Sequence, residues 1–399
     1  MPATPSPRRL RTALACLAVV VAAPLSLEVG LRLEAALEDA EIDRGLNAMR
    51  RRPPPPKGAV VSLADIVQMT ANPRLVYELI PGLDVKFIAP LTTNSAGFRG
   101  AEIAGAKAAR TVRILGLGDS VMFGWAVRDG EDFVSALARE LARRHPEVAW
   151  EGINTAVPGY NAVMEVETLV AKGLRFDPDL VLLNLVGNDM DLPNFIRRRA
   201  EPLSLAKSFL AERIGAMRAA RARGAAAERP DGMVAAPWVA GGFARNPGDV
   251  PPEYRDMVGP EAVKKALVEL RDVTRARGIA LLWVGHPELD DGARRQARRW
   301  RIETVSTRRT LERYAREHGI TEVAGPPLSI SKRDPHPTPL GHRLIAEAIA
   351  DRMESSGLTQ ALIARALGAS EPAGGAPLSA RDEDDKVSAA APAAPASTP

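Results

Sequence analysis

Residues 180–186 form an almost unbroken apolar run, interrupted only by Asn184 and bounded by Pro178 and Gly187. A strand with one solvated face alternates apolar and polar residues, because successive side chains point to opposite sides. A strand that is apolar at nearly every position needs both faces covered, as at the centre of a parallel sheet packed between helices. The chain repeats this theme from Thr111 onward. Apolar strands are predicted at 112–117, 148–154, 180–186 and 279–284, with a short fifth at 321–323. Helical periods are predicted between and after them, at 132–144, 162–174, 261–277, 300–318 and 340–353. In the first of these, Phe133, Leu137 and Leu141 recur at helical spacing. Such alternation predicts an α/β fold, a three-layer α/β/α sandwich with a mainly parallel sheet, over 111–368.

The alternation breaks at 191–260. Residues 204–227 read as a helix rich in Ala and Arg, and 229–252 are studded with Gly and Pro. This segment is expected to be an insertion over the edge of the sheet, in the place of a lid. Residues 60–110 form a lead-in segment with turn signals at Pro81-Gly82 and in Thr93-Asn94-Ser95-Ala96-Gly97-Phe98-Arg99-Gly100. The last stretch, 369–399, is Ala, Pro, Ser and charge with almost no large apolar residue, the composition of a disordered tail.

At the N-terminus, Arg8, Arg9 and Arg11 precede an apolar run from Ala13 to Leu27, which Glu28 and Arg32 close. A basic flank followed by an apolar segment is the pattern of a membrane anchor or a signal segment, here 1–33. Small residues before a cleavage point exist at Val21-Ala22-Ala23, but Pro24 follows them, so an uncleaved anchor is the expectation and a cleaved signal the alternative. Residues 34–59 then read as a charged helix and a Pro-rich linker. The positive-inside rule puts the remainder of the chain, membrane-anchored or secreted, outside the cytoplasm. The 53 basic residues are nearly matched by 49 acidic ones. With no aromatic-and-basic platform, that balance speaks against nucleic acid as a partner. Cys16 is the one cysteine, so neither an intrachain disulfide nor a cysteine metal cluster can form.

In open α/β sheets ligands bind at the carboxyl ends of the strands. The first strand is followed by Gly118-Asp119-Ser120, the second by Pro158-Gly159-Tyr160-Asn161 and the third by Gly187-Asn188-Asp189. Asp334-Pro335-His336 lies ahead of the last helix. Acyl transfer needs an activated hydroxyl, a base, an acid to orient the base, and donors aimed at the developing oxyanion. Each of these parts falls at a strand end. Each also has a structural use, since Ser120 or Asn188 can cap a helix. Asp119 and Asp189 are read as turn supports and His342 as structural. His286, Asp290 and Asp291 are placed on a surface loop past the fourth strand, and His145 and His318 are given no chemical part. No metal site and no phosphate-binding glycine loop are apparent.

Taken in order, these segments resemble the blocks of the SGNH hydrolase superfamily, also called GDSL-type esterases. The resemblance covers roughly 111–353, and the lead-in and N-terminal segments resemble those of membrane-attached bacterial members. It implies a flavodoxin-like sheet and a cofactor-free serine esterase. Ser120 would be the nucleophile, His336 its base and Asp334 the orienting acid. The oxyanion hole would consist of the Ser120 and Gly159 N–H groups and the Asn188 side chain. The substrate implied is an acyl ester, O-acetyl among them, on a glycan or lipid outside the cytoplasm. An O-acyltransferase acting on a cell-surface glycan and an inactive glycan-binding module are the alternatives. One departure bears on the acid: many family members place two residues between acid and histidine, whereas here only Pro335 intervenes.

Overall fold

The structure is a computed structural model describing residues 7–51, 53–195, 203–223 and 246–368. Helix α1 (Pro7–Arg51) and the single-turn α2 (Leu63–Ile66) precede two small antiparallel ribbons, β1 (Val67–Met69) with β2 (Tyr77–Leu79) and β3 (Asp84–Phe87) with β4 (Ala89–Thr92). The α/β alternation then runs β5 (Thr111–Leu117), α3 (Ser120–Phe123), α4 (Phe133–Arg144), β6 (Ala149–Asn154), α5 (Ala162–Thr168) and β7 (Leu180–Leu185). It continues with α6 (Phe209–Arg223), α7 (Gly259–Ala276), β8 (Ala280–Gly285), α8 (Asp291–Trp300), β9 (Glu303–Ser306), α9 (Arg308–Glu317), α10 (Pro339–Ser355) and α11 (Leu358–Ala366).

Strands β5 to β9 make one five-stranded sheet in the order β6-β5-β7-β8-β9, with every pair parallel. Every residue of β5 and β7 is buried, as a strand between two helical layers requires. The order is that of a flavodoxin-like, doubly wound sheet, whose strand order reverses between β5 and β7. Their carboxyl ends therefore flank the crevice where such folds bind ligands. The helices that cover the sheet start where their capping chemistry dictates. Asp132 accepts from the N–H groups of Val134 and Ser135 at 3.1 and 3.0 Å, and α4 then buries Phe133, Leu137 and Leu141. Thr338 accepts from Gly341 N–H at 3.2 Å, with Pro339 in the first turn of α10.

Three expectations are corrected. The predicted helix over 300–318 is divided: Arg301 takes a left-handed φ of 54° and ends α8, after which Glu303–Ser306 pairs with β8 as the fifth strand. The predicted strand at 321–323 is irregular chain instead. The N-terminal expectation of a membrane-spanning anchor over 1–33, followed by a separate helix, is also not met. Residues 7–51 form one helix, and among the described residues no helix is long and apolar enough to cross a membrane. Glu28 and Arg32 end the apolar run and face protein. The Glu28 carboxylate accepts from the N–H groups of Phe209 and Leu210 at 3.1 and 2.8 Å, capping α6, while Arg32 donates to the carbonyls of Ser204 and Lys207. A carboxylate at a helix N-terminus satisfies both orphan donors and dipole. Most of 229–252 and all of the expected tail at 369–399 lie outside the described residues.

The lead-in segment shares the core of the sheet: Tyr77, Leu79, Phe87, Leu91 and Phe98 belong to the same continuous apolar cluster as β5 and β7. Its turn is built on Asn94, whose Oδ1 accepts from the N–H groups of Ala96 and Phe98, both at 3.0 Å. Arg99 follows, with a side chain only 2% exposed, and pairs with Asp129 at 2.9 Å. It also donates to the carbonyls of Phe123, Gly124 and Val127. Removing it takes the donor from three carbonyls and leaves Asp129 with only its Thr92 contacts. Arg99→Leu is expected to destabilise the fold by about 3–5 kcal/mol in urea denaturation. A loss below about 1 kcal/mol would mean that these groups find other partners.

Candidate active site

Ser120 opens α3 at the carboxyl end of β5. Asp119 caps that helix, its Oδ1 accepting from Val121 N–H at 3.0 Å, and Gly124 closes it with a left-handed φ of 84°. The short helix leaves Ser120 half-buried at the rim of the sheet. Its Oγ lies 2.8 Å from His336 Nε2, and His336 Nδ1 lies 2.6 Å from Asp334 Oδ1. The same carboxylate oxygen accepts from the His336 backbone N–H at 3.1 Å. The single-residue spacing thus folds the Asp334 carboxylate back onto both the main chain and the ring of His336. Ser331 Oγ accepts from Asp334 N–H at 2.9 Å, and Ile330 N–H donates to the His336 carbonyl at 3.0 Å. Gly341 is needed beneath this loop, because a Cβ there would come within 2.3 Å of the Leu328 carbonyl.

The other two blocks converge on the same rim. Asn188, past the end of β7, donates from Nδ2 to Asp119 Oδ2 at 3.1 Å. Gly159, past the end of β6, has a φ of 80°, and an added Cβ would lie 2.0 Å from Asn194 Nδ2. A side chain is therefore excluded both by backbone conformation and by space. Tyr77 donates to the Pro158 carbonyl at 2.9 Å and meets Tyr160 and Phe195 edge-on, with centroids 5.3 and 5.0 Å apart. An aromatic cluster anchored in the lead-in segment thus braces the Gly159 turn. Chemically, the arrangement can pass a proton from a hydroxyl to an imidazole held by a carboxylate. The Asn188 Nδ2 donor is held on Asp119, the residue that precedes Ser120.

The remaining histidines lie elsewhere in the scheme. His342 is fully buried on α10, stacked on Phe133 with centroids 5.9 Å apart, and burial pushes its imidazole down to about 3. That is the structural place expected for it. His286 hydrogen-bonds Thr307 Oγ1 at 2.9 Å and does not join Ser120. Burial, then the proximity of His336, lower it to about 4. Three residues beside the site were not singled out for it in the sequence: Tyr77, Arg99 and Trp125. An arginine inside the Gly-flanked, otherwise neutral stretch 93–100 was the one available signal.

The fold brings a serine, a histidine and an aspartate into hydrogen-bonded sequence at the switch point of an α/β sheet, the place where such folds bind ligands. The model of the GDSL-like lipase/acylhydrolase family matches residues 117–344, and the chain belongs to that family. It is an ester-acting hydrolase. No curated protein matches it in sequence. Similar solved structures include TesA, at 15% identity over 61% of this chain and 98% of that one, with a TM-score of 0.35. Another is a form of Axe2, an acetyl xylan esterase from Geobacillus stearothermophilus, at 13% identity over 61% and 94%, with a TM-score of 0.35. A third is a two-domain esterase active on acetylated mannans, at 16% identity over 67% and 53%, with a TM-score of 0.35.

Beneath the site lies a group of buried carboxyls. Glu165 on α5 is 1% exposed and Asp189 is 3% exposed. Neither Glu165 oxygen nor Asp189 Oδ1 has a hydrogen-bond partner among the described residues. Burial, then Asp189 and Asp119, push the Glu165 carboxyl well above the usual carboxylate range. Burial and then Asp119 do the same to Asp189. The folded protein thus keeps protons that the unfolded chain sheds near pH 4. In this case the folded state binds more protons, so this contribution to stability is full at acid pH and falls as pH rises. Glu165→Gln is expected to flatten that decline between pH 5 and pH 9 in urea denaturation. An unchanged slope would show that Glu165 is ionised in the folded protein.

Proposed function

We propose that the protein hydrolyses an acyl ester through an acyl-enzyme formed on Ser120. His336 Nε2 takes the hydroxyl proton as Oγ attacks the acyl carbonyl, and the carbonyl π electrons move onto oxygen. The Ser120 and Gly159 N–H groups and the Asn188 amide meet that charge. The intermediate collapses by expelling the alcohol oxygen, which receives the proton from His336. Water then repeats the sequence, giving its proton to His336 and releasing the acid and Ser120. Asp334 holds the imidazole in the tautomer with the proton on Nδ1 and stabilises the imidazolium. The observation that carries this reading is the continuous relay from Asp334 through His336 to Ser120, with contacts of 2.6 and 2.8 Å.

The substrate class that we assign is an acyl ester, O-acetyl esters of glycans included. We also place the site of action outside the cytoplasm, because the basic residues Arg8, Arg9 and Arg11 precede an apolar run. Protease digestion of spheroplasts, in which any outer membrane is breached, checks this location: a catalytic domain that survives until the inner membrane is opened would place it in the cytoplasm. For the chemistry, turnover of p-nitrophenyl acetate is the measure. Ser120→Ala is expected to fold normally and to lose about 10⁴-fold or more in kcat, and Asn188→Ala about 10²–10³-fold. A folded Ser120→Ala protein that keeps turning over would remove Ser120 from the reaction.

A further inference from the structure

Trp125 stands on the loop that follows α3, and its indole lies over the His336 imidazole. The ring centroids are 5.4 Å apart and the planes differ by 25°. Phe87, from the lead-in segment, meets the same indole edge-on at 5.1 Å. The backbone that presents it is unusual. Both neighbours of Trp125 are left-handed, Gly124 at φ 84° and Ala126 at φ 62°, and Ala126 carries a Cβ that disfavours this conformation. Such a residue persists where its surroundings over-determine it. Here Arg99 ties down the carbonyls of Phe123, Gly124 and Val127, and Trp125 N–H donates to the Ser120 carbonyl at 3.1 Å.

Consider what the relay leaves free. The imidazole is held in its own plane by Asp334 at Nδ1 and Ser120 at Nε2. Two in-plane contacts on opposite nitrogens still permit the ring to tilt about the line that joins them. A flat aromatic face against the ring removes that tilt. It also offers an electron-rich surface to the positive charge that appears when the ring takes a proton.

We propose that Trp125 is a positioning residue for His336: its indole sets the plane of the imidazole and faces the imidazolium as it forms. This rests on the reading of Ser120 and His336 as nucleophile and base. The test compares Trp125→Leu and Trp125→Phe in the full chain. The readouts are kcat and KM on p-nitrophenyl acetate and the rate at which a fluorophosphonate labels Ser120. Trp125→Leu is expected to lower kcat and the labelling rate about tenfold, with KM within about twofold, and Trp125→Phe to restore most of the loss. A thermal melt verifies folding, and Trp125→Met replaces the leucine variant should that one not fold.

A folded leucine or methionine variant that labels and turns over at the wild-type rate overturns the proposal while leaving the triad reading intact. A rise in KM with kcat unchanged overturns it too, making Trp125 a wall of the substrate site. Equal losses in the leucine and phenylalanine variants would reduce the stack to loop packing. Wild-type protein that takes no label at Ser120 overturns the triad reading and this proposal together.

Discussion

Asp119 lies between the two strand ends that frame the crevice, and its two carboxylate oxygens face different tasks. Oδ1 accepts from Val121 N–H and sets where α3 begins; Oδ2 accepts from the Asn188 amide across the switch point. One side chain thereby sets the position of the Ser120 hydroxyl relative to the Asn188 donor. A buried carboxylate tolerates such a place only when charge-assisted hydrogen bonds compensate its lost hydration. Three elements depend on this junction: the turn into α3, the Asn188 loop and, below them, the carboxyls of Asp189 and Glu165, whose protonation responds to the same charge.

The parts of the molecule that could be read in advance are those where a requirement acts on residues close in sequence. Burial on both faces makes β5 and β7 apolar at nearly every position, and short motifs at the strand ends mark Ser120, Asn188, Asp334 and His336, which the fold draws to one rim. β9 escaped because its requirement is weak. It is a four-residue edge strand, partly exposed, between two arginine-rich helices, and the left-handed turn at Arg301 leaves no mark in periodicity. The burial of Glu165 likewise leaves no local mark, because α5 is buried all round by elements distant in sequence. The placement of Glu28 could not be foreseen either. Its partners are the Ser208 hydroxyl and the N–H groups of Phe209 and Leu210, about 180 positions away.

The lead-in segment shows the same limit from another side. Its turns were legible, but its role was not, since Tyr77, Phe87 and Arg99 act on loops that follow β5 and β6. Tyr77 braces the glycine turn at one side of Ser120; Arg99 and Phe87 brace the Trp125 loop at the other. Their apolar surface merges with the sheet's own core, so the segment cannot shift without disturbing the rim.

The pairing of Asp334 and His336 on one short loop has a mechanical meaning. Asp334 Oδ1 grips both the main chain and the ring of His336, so the two residues travel as a single rigid piece. Where acid and base come from separate elements, each drifts with its own support, and the relay has two joints to keep aligned. In this molecule one joint is locked by local geometry, and a single gap, between Nε2 and Oγ, registers any movement of the loop against the sheet.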